Sequence, residues 1–175
     1  AYDGHAREMR LKRGEERRLL SGHLWVFSNE IDSDTTPLTA FAPGYLAQIR
    51  SQRGQFPGHA YVNPHALICA RILSKDPAHP IDGALLDARL RAALTLREWL
   101  YREPYYRLVF GESDRLPGLV LDRYGDILVG QIATAGMAAL QDTVTEAVRA
   151  LLSPACLYWK NDSAARQLEQ LPQVA

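Results

Sequence analysis

The chain has 175 residues, 47% hydrophobic and 23% charged, with twenty basic side chains balanced by twenty acidic ones. That is a globular composition, able to bury a core in one domain or two small ones, and it excludes a low-complexity polymer. No run approaches the roughly 18 apolar residues of a membrane span, and the start, AYDGHAREMR, lacks the apolar stretch of a secretory signal; a cytoplasmic protein is expected, with no membrane partner.

The charge is unevenly spread. Residues 1–75 hold ten Lys/Arg against seven Asp/Glu, and residues 76–175 hold ten against thirteen. The positive excess is concentrated in Arg7, Arg10, Lys12, Arg13, Arg17 and Arg18. A phosphate feels the charge within a Debye length of about 8 Å, so a local patch matters more than the neutral total.

Taken in order, residues 1–8 read as an extension or tag, and organisation begins at Met9. A short helix is expected over Glu15–Leu20, then a strand at Trp25-Val26-Phe27. Trp25 and Phe27 stand at i and i+2 on that strand and so face one side. Facing inward they anchor a core; facing solvent they form a platform on which bases stack. The core placement is the expectation. The basic run ahead of them belongs on the surface, because unpaired guanidinium groups are costly to bury. A solvated helix face and a phosphate-contacting patch both fit it.

From residue 44 to 74 the pattern is β. Tyr45–Ile49 alternates toward a turn at Gln52-Arg53-Gly54, a strand runs from Phe56 to Val62, Asn63-Pro64 turns, and Leu67–Leu73 reads as a buried strand. Short strands with Gly/Pro punctuation indicate a small β-barrel over residues 9–76. The prolines of Lys75–Pro80 mark a linker, and Asp82 is placed to cap a helix from Gly83 to about Arg102, so residues 77–104 are linker and helix.

Residues 105–175 read as an α+β unit. Strands are expected at Arg107–Phe110, Leu119–Arg123 and Ile127–Ile132, a helix at Met137–Leu151, and a strand at Cys156–Trp159. The fold class is therefore α+β: a small barrel, a linker helix, and an incomplete strand–strand–helix–strand domain, expected to be truncated because its edge needs further strands.

No phosphate loop, HExxH pair, GxSxG elbow or metal-spaced cluster is present, so no catalytic, cofactor-binding or metal residues are assigned. His5, His23, His59, His65 and His79 are scattered. Cys69 and Cys156 sit 87 positions apart in apolar surroundings and read as small buried hydrophobes in a reducing compartment. The loop Gly111-Glu112-Ser113-Asp114-Arg115-Leu116-Pro117-Gly118 offers carboxylates two residues apart. These suit either acid–base work or a charged turn whose Asp114 and Ser113 bond to nearby amides. Arg123 beside Asp122 reads as an ion pair.

The segments LKRGEERRLLSGHLWVFSNEI and PGYLAQIRSQRGQFPGHAYVNPHALICARILS resemble the N-terminal PUA domain of bacterial rRNA large-subunit cytosine-5 methyltransferases of the RlmI type. YRLVFGESDRLPGLVLDRYGDILVGQIATAGM resembles the central domain of that family, whose usual form is close to YRL(I/V)xGESDGLPGLxxDRY. KNDSAARQLEQL resembles its RSDxxxRxxEGL element. The match runs from about Met9 to Leu171 in the family's order. Four positions depart from it: Leu24 for a proline, Pro57 for an aliphatic residue, and Arg115 and Gln170 for glycines. Arg115 suggests that its place in the loop has no need of glycine's backbone freedom.

The resemblance implies an enzyme of three parts, with S-adenosylmethionine and the nucleophilic cysteine in a third, Rossmann-like domain outside this chain. There, cysteine attack at cytosine C6 precedes methyl transfer to C5. Neither Cys69 nor Cys156 matches the catalytic motif, and no S-adenosylmethionine is expected to bind this chain alone. What remains is recognition of rRNA, by basic side chains on phosphates with a few contacts to exposed bases. Lys12, Arg13, Arg17 and Arg18, with His23 and Arg71 beside them, are expected to border the RNA. Four phosphate contacts to a single strand give a logarithmic salt slope of about −3. A stand-alone PUA-type RNA-binding module and a protein-interaction scaffold are the alternatives.

Overall fold

The structure is a computed structural model and describes residues 7–174, in two compact units divided between Ile81 and Asp82. Residues 1–6 of the expected extension, His5 among them, lie outside the described residues.

In the first unit, β1 (Arg7–Arg10), β2 (Trp25–Phe27), β3 (Leu46–Arg50), β4 (Gly58–Val62) and β5 (Ile68–Ser74) form one sheet in the order β1-β3-β4-β5-β2. β1 runs parallel to β3 and every other pair is antiparallel. The two edges meet: Leu11 and Ile31 form an antiparallel bridge, flanked by Lys12 N–H on Glu30 O (2.8 Å) and Asp32 N–H on Arg10 O (2.9 Å). Closing a short sheet this way satisfies edge groups that would otherwise be left open. The helix α1 (Glu16–Leu20) lies between β1 and β2 and sends Leu19 into the core beside Met9, Leu11, Val26, Ile31, Ile49 and Val62, all fully buried. Each such side chain stabilises by about 1.5–3 kcal/mol.

Two expectations change here. Arg7 and Glu8, read as extension, are the first half of β1. And the aromatics of β2 are not the core. Val26, between them, is the inward residue at 0% exposure, while Trp25 is 41% exposed and Phe27 half-buried. The period-two rule holds, but the side shared by Trp25 and Phe27 faces away from the core. Phe27 is held outward by what it contacts, since its N–H donates to Glu30 and its ring carries the Arg18 guanidinium at 5.0 Å.

In the second unit, α2 (Gly83–Leu100) starts at Asp82, whose side chain accepts from Leu85 N–H at 2.9 Å, an N-cap worth about 1 kcal/mol. β6 (Tyr105–Phe110), β7 (Leu119–Tyr124), β8 (Ile127–Ile132) and β9 (Cys156–Trp159) form a sheet in chain order, antiparallel except for β8–β9. The single helix expected over Met137–Leu151 is two, α3 (Ala135–Ala139) and α4 (Gln141–Leu152), broken at Leu140, and α5 (Ala165–Leu168) follows β9. Leu86, Leu90 and Ala93 of α2, Val144 and Val148 of α4, and Leu121, Leu128 and Ile132 of the sheet make the core. Gly130 leaves room for Trp159 on the helix side: a Cβ there would meet the indole at 2.4 Å, and Trp159 Nε1 donates to Thr145 of α4 at 3.2 Å. The opposite sheet face carries exposed Tyr105, Phe110, Tyr124, Ile127 and Tyr158. The α+β class is as expected. No described helix is long and apolar enough to cross a membrane.

Candidate nucleic-acid interface

The basic residues of the first unit part company once folded. Lys12 and Gly14 belong to a turn after β1, closed by Glu15 N–H on Lys12 O at 3.2 Å, which presents Arg13 outward. Arg17 extends from the exposed side of α1. Gln52 donates to Leu11 O (3.0 Å) and to Asp32 Oδ2 (2.7 Å), tying the turn at 51–54 to the end of β1. Hydrogen bonds from the Thr35 hydroxyl and the Gln52 amide hold the Asp32 carboxyl below its usual range, so this anchor is ionised at neutral pH.

The anchored turn delivers Arg53. Arg13, Arg17 and Arg53 line one hollow of about 130 Å³ together with Gly14, Glu16 and Gln52. The Glu16 carboxylate accepts from Gly14 N–H at 3.0 Å and is thereby turned to the backbone. All three arginines are exposed, and among the described residues none of their side chains has a hydrogen-bonding or ionic partner. Three unpaired guanidiniums on one concave surface present donors in the forked geometry that phosphate oxygens accept.

Arg18 belongs to a different structure. Its Nη2 reaches both Glu30 oxygens at 2.7 and 2.8 Å and Trp25 O at 2.7 Å. Glu30 is only 6% exposed and also accepts from Phe27 N–H at 2.8 Å. A buried carboxylate needs such a partner, so Arg18 is committed to Glu30 and stands apart from the hollow. Lys12 remains exposed but donates to Asn29 O at 2.8 Å. His23 is exposed, and Arg71 is half-buried, directly across the β2–β5 ladder from Trp25. The structure therefore does not gather all six expected residues. It gathers Arg13 and Arg17 with Arg53, which the sequence shows only as the middle of a Gln-Arg-Gly turn.

The conspicuous loop of the second unit also resolves. Asp114, 7% exposed at its side chain, is gripped by Arg97 of α2 through two bonds (Nη1–Oδ1 2.5 Å, Nη2–Oδ2 2.7 Å) and accepts from Phe110 N–H at 2.7 Å. Both oxygens of this carboxylate are taken up within the protein, as the charged-turn reading has it for Asp114, whereas the Ser113 side chain makes no such bond among the described residues. Asp122 pairs with Arg107 (2.8 Å), not with its neighbour Arg123, which bonds to Tyr106 OH and Gly125 O. Successive strand residues point to opposite faces, so the expected pair was geometrically excluded. Arg115 has φ +58°, and Gln170 φ +57°. Both sites keep the left-handed backbone that glycine tolerates best, contrary to the expectation at Arg115.

The cysteines divide. Cys69 is buried and its thiol is pushed up to about 12 by loss of solvent, whereas Cys156, expected buried, is exposed on β9. Among the described residues no group of three or more His, Cys, Asp or Glu side chains is placed to hold a metal.

Comparison with known proteins gives three findings. Residues 9–75 match the model of a PUA-like domain. The chain is 35% identical over 162 residues to ribosomal RNA large subunit methyltransferase I of Cronobacter sakazakii and 33% identical over 162 residues to its namesake in Escherichia coli O157:H7. Each alignment covers 91% of this chain and 40% of the relative, so the chain spans well under half the length of the curated relatives it matches. Among solved structures, SMU.776, described as a methyltransferase complexed with SAH, superposes with a TM-score of 0.74 at 16% identity, over 89% of this chain and 40% of that one. A second Streptococcus mutans structure, described as SAM-dependent, gives 0.72. At that identity the likeness is one of fold.

Proposed function

We infer that this chain, homologous along nearly all its length to the ribosomal RNA large subunit methyltransferases and carrying a PUA-like domain at residues 9–75, serves as the RNA-recognition portion of a SAM-dependent rRNA cytosine-5 methyltransferase of the cytoplasm. The observation that carries this reading is the hollow shared by Arg13, Arg17 and Arg53. RNA binding by such a domain rests first on phosphate contacts, which set position and orientation before any base is read. Lys12 and His23 flank the same segment in sequence, and Trp25 beside Arg71 offers an exposed indole for stacking.

S-adenosylmethionine supplies the methyl group in this reaction class. The strand–helix turn that opens the β8–β9 crossover, at Ala133–Ala135, is covered by Gly118 on Thr134 and by Glu169 accepting from Ala135 N–H at 3.2 Å. The role proposed for this chain is to hold and orient RNA.

The test is filter binding to single-stranded fragments of large-subunit rRNA against excess heparin. The wild-type chain should be retained, with a loss of at least tenfold when Arg13, Arg17 and Arg53 are each changed to Gln. rRNA fragments bound no better than heparin, or an unaffected triple variant, would overturn the reading.

A further inference from the structure

The phosphate-binding role leaves the loop of the second unit, Gly111–Gly118, without a function. That loop walls a cavity of about 410 Å³ on the open face of the sheet, within the range of small-molecule sites. Its floor is a row across three strands, since Phe110, Val120 and Gln131 are successive ladder partners on β6, β7 and β8. Phe110 is 54% exposed, with the Arg107 guanidinium 5.2 Å from its ring centroid. Glu112, Ser113 and Ser163 complete the polar lining.

The cavity is pre-formed. Asp114 is clamped to α2 through Arg97. At the other end of the loop Gly118, φ +78°, lies so close on Thr134 that a Cβ would meet its hydroxyl at 2.2 Å. Thus the walls are set by buried contacts, while the groups facing inward are uncommitted: among the described residues the side chains of Gln131, Ser113 and Ser163 have no hydrogen-bond partner.

We propose that this cavity holds one unpaired nucleobase of a bound RNA strand. A flat heterocycle stacks on the Phe110–Val120 floor. The Gln131 amide, at once donor and acceptor, pairs with the mixed donor–acceptor edge that a base exposes, and the two serine hydroxyls meet ribose. The Phe110 ring and the Gln131 amide suit a base and not a phosphate, so the site reads a base while the arginine hollow of the first unit holds backbone. The proposal draws its biological ligand from the RNA-recognition reading, but the cavity can be probed without RNA.

The first probe is free cytidine, uncharged and blind to the arginines, titrated into the full chain at millimolar concentration with methyl ribofuranoside as the sugar-only control. Amide resonances of Gly111–Gly118 and the Gln131 side chain shift with cytidine and not with the sugar, and the shifts vanish in Gln131→Ala. The second probe is a single-stranded RNA oligonucleotide: Phe110→Ala and Gln131→Ala each weaken binding, the aromatic loss by roughly five- to a hundredfold, with the salt slope unchanged. Both are partly exposed, and circular dichroism confirms folding. Cytidine shifts without RNA binding would sustain the cavity and sink the RNA reading. RNA binding that depends on Arg13, Arg17 and Arg53 but not on Phe110 or Gln131, with no cytidine shifts, would overturn the cavity and leave the RNA reading standing.

Discussion

Two residues of the second unit occupy backbone conformations that their side chains resist, and replacing them stabilises the protein. Arg115 (φ +58°, ψ +28°) ends the turn over Gly111–Asp114, and Gln170 (φ +57°) follows α5. A left-handed residue with a Cβ costs about 1–2 kcal/mol. Glycine returns part of that, about 0.4–1 kcal/mol, through its freer unfolded chain. Neither side chain makes a hydrogen bond or ion pair among the described residues. The bonds that define the turns use the backbone of these residues, not their side chains: Leu116 N–H donates to Gly111 O at 3.0 Å, Leu171 N–H to Arg166 O at 2.9 Å, and the Arg89 guanidinium donates to the Arg115 carbonyl. Arg115→Gly and Gln170→Gly should therefore each add about 0.5–1 kcal/mol, and the pair about 1–2 kcal/mol, since they share no partner. Urea unfolding followed by fluorescence measures it, as a rise in midpoint with unchanged slope. In a unit of this size 1 kcal/mol also raises Tm by about 4–8 °C. A lower midpoint for either variant would show that the side chain, not the backbone, dominates there.

Other outcomes follow from the same contacts. Arg97→Met leaves the Asp114 carboxylate buried without its partner and should cost about 3–5 kcal/mol in urea unfolding of the second unit. Arg18→Met strands Glu30 in the same way. Because Arg18 is 30% exposed at its side chain, the loss should be smaller, about 2–3 kcal/mol, with unchanged RNA salt slope. Native protein at pH 8 should take up one equivalent of a thiol reagent, at Cys156, and a second only in denaturant, because the Cys69 thiol is pushed up to about 12. By linkage the native state binds the Cys69 proton more tightly than the unfolded one. That contribution is intact below the ordinary thiol range near 9 and is lost as pH rises toward about 12; flat stability over that window would contradict the burial.

α2 and most strands were legible because local signals agree: Asp82 as cap, and β3 to β5 punctuated by Gly54 and Asn63-Pro64. β1 was hidden because Arg-Glu-Met-Arg has one apolar residue and finds its partner, β3, some forty residues on. For β2 the spacing tells that Trp25 and Phe27 share a side, but not which. The answer came from Glu30, a carboxylate that draws Phe27 N–H and Arg18 to one place. A run of arginines cannot reveal which of them has such a partner, nor that Arg53 arrives from a distant turn. The family's glycine positions were visible as departures, and only the backbone angles show that the demand on them persists.

The central claim is that three arginines from two turns and a helix form one phosphate-binding surface. Its most direct test is the salt dependence of binding to single-stranded rRNA. Arg13, Arg17 and Arg53 acting together give a logarithmic slope of about −2, approaching zero when all three are Gln. A wild-type slope near zero, or one that the triple substitution leaves unchanged, would contradict it.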